Sequence, residues 1–345
     1  MALQEVVIWV STPGKRNSIF LQAQLMQQAL ARAGRRAIVC HPGGDSVLGN
    51  LKRVWRSDAV VWHYSSMDPW LLPFVFKRRL AVLYHNITPA RFFVGSEPLV
   101  ALRAALGRLQ LRLMPGRWRY GAVSEYNRRE LAAMRRCDVE LVPCLVTSAL
   151  GSLPEKSASP TLFFAGRIVE NKNCIVLVEQ VERAARRLGM RLRLVILGDG
   201  NPARGYFKRF ARMLERVRDN GHLEVEWIRS GVDDAALDAF YASSWLYVST
   251  SLHEGFGLPV CEAVARGTPA LYLACGGTES VLAGEGCLPA PDAASFHESV
   301  ERLLASADAR EALLARQREA LAGFVVPAAE ARTSAAVAEL VGSPA

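Results

Sequence analysis

Two glutamates separated by seven residues, Glu254 and Glu262, have the residue type and spacing to bind a polar ligand from two sides. The apolar run 245–248 predicts a buried strand, and residues 249–258 predict the loop that follows it. Pro259 predicts the first residue of a helix, because its fixed φ suits that position. The free N–H groups and the dipole at a helix start favour a bound anion. A carboxylate, an anion site and a second carboxylate in series could bind a sugar, a diphosphate and a ribose, in that order.

The segment that contains these two glutamates, residues 253–263, resembles the E-x7-E signature of the family 4 glycosyltransferases, which are enzymes of the GT-B fold. The resemblance implies that Glu254 contacts hydroxyl groups of the transferred sugar and that Glu262 holds the ribose of the nucleotide. It also implies contacts from the backbone to the sugar donor, along Gly255, Phe256, Gly257 and Leu258. The alternative is an acidic helix start that only complements the helix dipole.

A loop after another predicted strand, residues 163–173, carries Arg167 and Lys172 five residues apart. A guanidinium and an ammonium on one loop can both reach a diphosphate and neutralise the charge that develops as the glycosidic bond breaks. The segment resembles the family's G-R-x-x-x-x-K sequence, which implies that Arg167 and Lys172 hold the donor phosphates, with Gly166 beside them. A solvated surface loop is the alternative. The turn at Gly198 is a further predicted donor contact, although a plain turn explains it equally well.

Polar residues also follow predicted strands in the first half of the chain, where open α/β sheets place their ligands. His85 and Asn86 follow the strand 80–84 and resemble the family's H-N loop, in which the histidine lies near the reacting sugar. A structural histidine is the alternative. Ser124 is predicted to face the acceptor, although a helix cap explains this residue equally well. Gly14 is predicted as an acceptor contact, in a loop that has one glycine where many family members have two.

Length and composition indicate a globular chain of two domains, since 345 residues exceed what one core usually supports. Seven scattered cysteines without a C-x-x-C pair favour a reducing cytosol. The first residues lack the regions of a signal peptide, and no apolar run is long enough to span a bilayer. The net charge of +9 divides into +11 on residues 1–155 and −2 on residues 156–345. The basic half predicts an anionic partner, for which nucleic acid and anionic lipid are the usual candidates.

Strand-like and helical patterns alternate in both halves, which predicts parallel, doubly wound sheets. In the first half we predict strands at 6–10, 37–40, 59–63, 80–84, 120–123 and 140–142 and helices at 18–33, 98–113 and 125–134. In the second half we predict strands at 162–165, 192–197, 223–227, 245–248 and 270–273 and closing helices at 307–321 and 327–341. The resemblance implies a GT-B arrangement of two Rossmann-like domains that face each other across a cleft.

The predicted domain boundaries follow a turn-rich, poorly patterned segment at 147–160. We predict an acceptor-binding domain at 1–150 and a nucleotide-sugar-binding domain at 151–326. A C-terminal helix within 327–345 is predicted to pack back on the first domain, as the resemblance implies.

Residues 98–119 combine regularly spaced leucines with arginines, and residues 69–76 are predicted to be an exposed apolar segment beside Lys77, Arg78 and Arg79. A basic amphipathic helix next to an apolar loop suits an enzyme that binds a membrane surface to reach a lipid-linked acceptor. An ordinary amphipathic helix that covers a sheet is the alternative. The leucines concerned are Leu99, Leu102, Leu106, Leu109 and Leu113.

These features predict a glycosyltransferase that moves a sugar from a nucleotide-diphosphate donor to a hydroxyl of a polyprenyl-diphosphate-linked or other glycan acceptor, in bacterial surface-polysaccharide assembly. GDP-mannose and UDP-sugars are both open as donors. The predicted catalytic residues are His85, Glu254, Arg167 and Lys172. No metal or other cofactor is predicted, since Arg167, Lys172 and the helix start supply the positive charge that Mg²⁺ would otherwise bring.

The predicted location is the cytoplasm, peripherally on the inner face of the plasma membrane. No nucleic-acid partner is predicted, because no aromatic-basic RNA motif occurs. The resemblance implies that the anomeric configuration is retained, but related GT-B enzymes invert it, so the stereochemical outcome stays open. The alternatives are a nucleotide-sugar epimerase of the GT-B fold, which would need no acceptor, and a catalytically silent basic binding module.

Overall fold

A computed structural model of the protein describes residues 5–11, 18–43, 46–147, 155–218, 221–289 and 295–342. Contacts within the chain divide it into two units. The first unit comprises Met1–Ala90, Leu99–Leu145 and Gly323–Ala345, and the second comprises Arg91–Pro98 and Val146–Ala322. The end of the chain therefore belongs to the first unit. Residues 91–98 belong to the second unit, although they precede a helix of the first half.

A parallel sheet forms the centre of the first unit, with six strands among the described residues in the order β2-β1-β3-β4-β5-β6. Every residue of the three central strands β1, β3 and β4 is buried. Strands of a parallel sheet are covered on both faces, which explains their nearly uninterrupted apolar sequence. The strands are β1 (Val6–Val10), β2 (Ala37–Cys40), β3 (Ala59–Tyr64), β4 (Leu80–Tyr84), β5 (Arg119–Ala122) and β6 (Glu140–Leu141).

Helices connect these strands on both sides of the sheet, as a doubly wound fold requires. They are α1 (Ser18–Arg32), α2 (Val47–Arg56), α3 (Leu71–Phe74), α4 (Pro98–Leu113) and α5 (Glu125–Arg135). The hydroxyl of Ser46 accepts a hydrogen bond from the backbone N–H of Gly49 at the start of α2. The hydroxyl of Ser124 accepts one from Asn127 at the start of α5. Both serines therefore satisfy N–H groups that a helix start leaves without a partner.

The helix α4 buries its small residues and exposes its leucines. Its buried positions are Ala101, Ala104, Gly107 and Leu111. A Cβ atom on Gly107 would lie only 2.6 Å from the backbone nitrogen of Met67, so glycine permits a close approach to the neighbouring chain. The exposed fractions of the five leucines lie between 39% for Leu106 and 71% for Leu113. The leucine periodicity therefore marks the outer face of α4, and the small residues cover the fold.

The segment at 69–76 is only partly exposed, and of the basic residues beside it Arg78 and Arg79 are exposed whereas Lys77 is not. Leu72 and Phe76 are exposed, but Phe74 lies in the core of the first unit. Lys77 is also buried, and its ammonium donates hydrogen bonds to two backbone carbonyl oxygens at the end of α2. Lys77 therefore stabilises the end of that helix, where cations are favourable, and adds no charge to the outer surface.

A second parallel sheet forms the centre of the second unit, with six strands among the described residues in the order β12-β11-β10-β7-β8-β9. The order reverses between β7 and β10, which lie side by side although two other strands and the helices around them separate them along the chain. Such a reversal is where doubly wound sheets bind their ligands, beyond the carboxyl ends of the strands. The strands are β7 (Thr161–Ala165), β8 (Leu192–Leu197), β9 (Leu223–Ile228), β10 (Leu246–Ser249), β11 (Ala270–Leu273) and β12 (Cys287–Leu288).

The remaining helices surround this second sheet or return to the first. They are α6 (Cys174–Leu188), α7 (Gly205–Arg218), α8 (Asp234–Ser243), α9 (Leu258–Ala265), α10 (Gly277–Val281), α11 (Phe296–Ala305), α12 (Ala307–Leu321) and α13 (Glu330–Val341). The last helix, α13, packs against α1 and against β3, β4, β5 and β6 of the first unit. Within the described residues, no helix combines the length and the apolar character that crossing a membrane requires.

Candidate active site

Lys172 and Glu254 meet at the reversal of strand order in the second unit. Lys172 lies in the short 3₁₀ helix that follows β7, and Glu254 lies in the loop that follows β10. The ammonium nitrogen of Lys172 is 2.5 Å from Oε1 of Glu254. Their side chains are only 14% and 15% exposed. Water screens the pair less than it would screen surface charges, so the two residues predicted to bind phosphate and sugar hold each other in place.

The loop that carries Glu254 is fixed by the neighbouring loop at the end of β11. The N–H of Glu254 donates to the carbonyl oxygen of Cys275, and the N–H of Gly277 donates to the carbonyl oxygen of Glu254. A Cβ atom on Gly277 would lie 1.9 Å from the carbonyl oxygen of Gly255, so only glycine allows this approach. Gly257 adopts a φ of 83°, and a Cβ there would meet the hydroxyl of Thr278. The two glycines therefore determine where the Glu254 loop lies.

The start of α9 leaves backbone donors beside this loop. The helix begins at Leu258, one residue before the predicted start, with Pro259 in its first turn. The N–H groups of Gly257 and Leu258 have no hydrogen-bond partner among the described residues. These groups and the helix dipole make a favourable position for an anion.

Glu262 lies one turn into α9, the helix whose start the sequence predicted at Pro259. Its Oε2 accepts a hydrogen bond of 2.9 Å from the phenol of Tyr241 on α8. Burial raises the pKa of Glu262, while the guanidinium of Arg266 and the bond from Tyr241 oppose that shift. The second carboxylate oxygen, Oε1, has no partner among the described residues, so it is available to a hydroxyl group.

The loops after β7 and β8 pack closely together through glycines. A Cβ atom on Gly198 would lie 1.8 Å from the carbonyl oxygen of Gly166. The N–H of Gly166 donates to Leu197, and the N–H of Ile168 donates to Asp199. Next to this contact Arg167 is exposed, and its guanidinium has no partner within the described parts of the chain. Arg167 is therefore free to bind a ligand without first breaking an ion pair.

In the first unit, His85 follows β4 and contacts His63, which lies near the end of the neighbouring strand β3. Nε2 of His85 lies 2.9 Å from Nδ1 of His63, and the rings are stacked with centroids 4.7 Å apart. Burial lowers the pKa of His85 to about 3. Burial, and then the neighbouring His85, lowers the pKa of His63 well below its ordinary value. Both rings are neutral at physiological pH, so each can donate one hydrogen bond and accept another.

A network of hydrogen bonds holds the backbone directly after His85. Asn86 has a φ of 85°, in the left-handed region that few residues other than glycine adopt. The N–H of Ile87 donates to the phenol of Tyr84, which donates to Glu130. Arg108 of α4 bonds both Glu130 and the carbonyl oxygen of Ile87. These contacts hold the turn in which Asn86 carries the strained backbone.

The structure does not place the other two predicted acceptor contacts, Gly14 and Ser124, at a ligand site. Gly14 lies outside the described residues. Ser124 is buried, and its hydroxyl caps α5, which is the alternative that the sequence allowed. The structure brings Gly166, Lys172, Gly198 and Glu254 together around the carboxyl ends of three strands, and it places His85 with Asn86 in the first unit.

Three contacting residues were missed by the sequence predictions. Tyr241 orients Glu262, and His63 contacts His85. Phe92, from the 91–98 segment that belongs to the second unit, lies with its ring 5.9 Å from that of His253, the residue before Glu254. Only His63 carried a usable signal, because a histidine at the end of a buried parallel strand is predicted to face a ligand. Among the described residues, no three His, Cys, Asp or Glu side chains are grouped as metal ligands would be.

Comparison with known proteins finds a family match within the unit that contains Lys172 and Glu254. Residues 159–306 match the family model of the group 1 glycosyl transferases. A segment of 133 residues is 29% identical to sucrose synthase 2 of Zea mays. That segment covers 36% of this chain and only 16% of the maize protein, so the match spans a small part of that relative's length.

Solved structures are similar over nearly the whole chain. Sucrose-phosphate synthase from Thermosynechococcus elongatus has a TM-score of 0.72 at 17% identity and covers 97% of this chain and 98% of its own. WaaG, a glycosyltransferase involved in lipopolysaccharide biosynthesis, has a TM-score of 0.71 at 13% identity, with 98% and 100% covered. A glycosyltransferase from Rickettsia africae has a TM-score of 0.72 at 14% identity, with 99% and 100% covered. At such identities the similarity concerns the fold alone.

Part of the second unit, residues 159–306, therefore matches the group 1 glycosyl transferases, in agreement with the resemblance that the sequence predicted. The predicted fold class, two doubly wound parallel sheets of the GT-B type, is also confirmed. The donor, the acceptor and the roles of individual residues stay predictions.

Proposed function

We propose that this protein transfers a glycosyl group from a nucleoside-diphosphate sugar to a hydroxyl of a lipid-linked or other glycan acceptor, in the assembly of a bacterial surface polysaccharide. GDP-mannose or a UDP-sugar is the proposed donor, and the anomeric configuration is retained. The observation that carries this proposal is the meeting of Lys172, Glu254 and the start of α9 where the strand order of the second sheet reverses. Positive charge, a carboxylate and free N–H groups at that point suit a diphosphate joined to a sugar.

The roles proposed in the second unit follow from these contacts. Arg167 and Lys172 bind the diphosphate, the start of α9 donates N–H groups to it, and Glu254 accepts hydrogen bonds from the sugar hydroxyls. The free Oε1 of Glu262 accepts one from the ribose. When the donor phosphate engages Lys172, Glu254 loses its cation and is free for the sugar. In the first unit, His85 lies beside the acceptor hydroxyl.

The proposed reaction proceeds without a metal ion. Two side-chain cations and the partial positive charge of a helix start act on the leaving diphosphate, which is the task that Mg²⁺ performs in other transferases. The pairing of Glu254 with Lys172 supports this proposal, because a lysine ammonium lies beside that carboxylate where a divalent cation would otherwise bind.

The proposed location is the cytoplasmic face of the plasma membrane, bound peripherally through the exposed leucines of α4. These leucines alternate at spacings of three and four residues along one outer face, flanked by the exposed Arg103 and Arg112. Leu72 and Phe76 are also exposed, in the segment that Arg117 joins to α4 by donating to the carbonyl oxygen of Val75. A bilayer with anionic headgroups accepts both the apolar stripe and the arginines.

A second copy of the chain suits the leucine stripe less well. The same spacing is typical of a coiled-coil seam, whose flanking positions normally carry opposite charges. The sequence of α4 contains arginines and no acidic residue. Two copies packed through this face would place like charges along it, whereas anionic lipid would neutralise them.

A panel of nucleotide sugars tests the proposed donor by thermal stabilisation. A ligand at 100 times its Kd stabilises the folded protein by roughly 2.7 kcal/mol, so a true donor raises the unfolding temperature measurably.

Glu262→Ala is expected to weaken binding of the free nucleotide about 10- to 100-fold, because it removes a hydrogen bond to a charged acceptor. Titration calorimetry measures that affinity.

The matched control for Glu262 is Glu179→Ala, since Glu179 is exposed on α6 of the same unit and is expected to leave nucleotide affinity unchanged. Equal nucleotide affinity of wild type and Glu262→Ala would contradict the ribose contact. Conversion of a sugar nucleotide to its epimer without an acceptor would replace the proposed transferase by an epimerase.

Substitution of the outer leucines tests the proposed membrane surface. The triple variant Leu102→Gln, Leu106→Gln, Leu109→Gln is expected to lower binding to vesicles that contain phosphatidylglycerol by about 10-fold or more, because each leucine loses apolar contact worth on the order of 1 kcal/mol. Flotation at physiological salt measures the bound fraction. Met190→Gln, which changes an exposed apolar residue of the second unit, serves as the control.

Two outcomes would overturn the membrane surface. Equal flotation of the triple variant and the control would remove α4 from the membrane contact. Concentration-dependent dimerisation that the triple variant abolishes would show that a second copy covers α4 instead.

A further inference from the structure

The contact between His63 and His85 lies next to a reversal of strand order in the first sheet. Strand β1 has β2 on one side and β3 on the other, so the order reverses between β1 and β3. His63 lies near the end of β3 with its ring buried, and the N–H of His85 donates to the carbonyl oxygen of Tyr64, the last residue of that strand. Two adjacent strand ends therefore hold the two rings at the edge of the sheet where ligands bind.

The hydrogen bond between the rings leaves one nitrogen of each ring unoccupied. Nε2 of His85 and Nδ1 of His63 are used by their mutual contact. Nε2 of His63 is fully buried and has no partner among the described residues. Nδ1 of His85 has no partner within those residues either, and it is not fully buried. The pair thus has a buried end at His63 and an accessible end at His85.

A small cavity lies beside this pair. It has room for about one water molecule, and both histidines line it together with Gln22, Met26, Cys144 and Thr333. The hydroxyl oxygen of Thr333, on α13, is likewise buried without a partner among the described residues. Buried polar atoms in native proteins are nearly always hydrogen-bonded to protein or to ordered water. No carboxylate or cationic side chain lines the cavity.

We propose that His63 is a positioning residue for His85, and that a buried water shared with Thr333 completes the hydrogen bonding of His63. His63 occupies Nε2 of His85, so Nδ1 is the nitrogen that His85 presents to the acceptor hydroxyl. Because both rings are neutral, a single proton lies between them and the ring of His85 cannot turn without losing that bond. The role of His85 beside the acceptor rests on the proposed function. The hydrogen bond between the two rings and the water shared with Thr333 do not depend on that function.

The structural part predicts a direct spectroscopic signal. In protein labelled with ¹⁵N-histidine, a scalar coupling across the hydrogen bond is expected between Nε2 of His85 and Nδ1 of His63. His63→Phe replaces the imidazole with an aromatic ring that has no nitrogens, so it is expected to abolish the coupling. Thr333→Val is expected to shift the Nε2 resonance of His63 and to leave the coupling in place. Assigned rings without any coupling in the wild type would overturn the proposal.

The functional part predicts a change in turnover without a change in donor affinity. His63→Phe is expected to lower kcat roughly 10- to 100-fold, since misplacement of a reacting group by about 1 Å has effects of that order. The KM for the donor is expected to stay within about twofold, and His63→Gln, which retains a polar partner for His85, is expected to recover part of the loss.

Met26→Leu is the matched control, because it changes the lining of the same cavity without contact to a ring nitrogen. Equal kcat for His63→Phe and Met26→Leu, with equal unfolding temperatures, would overturn the positioning role. If no nucleotide sugar is transferred by the wild type, the proposed function fails, while the coupling and the Thr333→Val shift still decide whether the pair exists.

Discussion

Lys172→Ala is expected to lower kcat for sugar transfer by about 100-fold or more, while the protein remains folded. In the proposed reaction, Lys172 stabilises charge that develops on the leaving diphosphate only as the glycosidic bond breaks. Loss of one such preorganised charge contact typically costs about 3 kcal/mol of transition-state stabilisation. Steady-state kinetics with saturating donor measure the effect, and circular dichroism reports whether the fold is retained.

The ion pair between Lys172 and Glu254 complicates this variant, because Lys172→Ala leaves a partly buried carboxylate without its cation. The double variant Lys172→Ala, Glu254→Gln removes that charge and separates the two effects. If turnover stays about 100-fold low in the double variant, the loss belongs to the missing phosphate contact or to Glu254 itself, and Glu254→Gln alone decides between them.

Lys208→Ala provides the matched control, since Lys208 is exposed on α7 of the same unit. It is expected to keep wild-type kcat. Turnover near that of the wild type in Lys172→Ala would remove the diphosphate assignment.

The two sheets were predictable from the sequence to within a residue or two at most strand ends. Strands β1, β2, β4, β8 and β11 have the predicted boundaries, because each is a short, largely apolar run. Shorter helices such as α3 and α10 were not predicted. Their five or fewer residues are too few for a helical period, and packing of neighbouring elements determines them.

The face of α4 was not predictable, although its boundaries were. Leucines at spacings of three and four residues predict an apolar stripe, and sequence periodicity alone leaves open whether the fold or another surface covers it. The structure settles this through Gly107, whose missing side chain lets α4 approach Met67 with its small face. Small residues are ambiguous in a hydrophobic pattern, because they suit close packing as well as exposed positions.

Contacts between side chains on different loops and helices could not be predicted from the sequence, for a different reason. Lys172 and Glu254 are both visible as candidate ligand contacts, but their contact joins loops 82 residues apart and depends on the order of β7 and β10. Tyr241 gave no signal at all, because a tyrosine within an ordinary apolar helix pattern predicts a core residue. It is a core residue, and its phenol also orients Glu262.

Gly277→Ala is expected to destabilise the second unit by about 3 kcal/mol and to abolish nucleotide binding. The added Cβ atom would lie 1.9 Å from the carbonyl oxygen and 2.3 Å from the carbonyl carbon of Gly255. Both are backbone atoms, so no side chain can rotate away to make room. Overpacking that moves the backbone typically costs about 1–3 kcal/mol, and we expect the upper end of that range here. The loop of Glu254 would have to move away from Lys172. Urea unfolding and nucleotide calorimetry measure the two effects.

Gly116→Ala is the matched control for Gly277→Ala, because a Cβ atom on Gly116 would meet no other atom within 4 Å. That variant is expected to keep both the stability and the nucleotide affinity of the wild type. If Gly277→Ala loses affinity at nearly unchanged stability, the displaced Glu254 loop has found another packing, and its position alone limits binding. If both quantities are unchanged, the close contact of Gly277 with Gly255 does not exist in solution. The geometry that brings Glu254 to Lys172 would then be wrong.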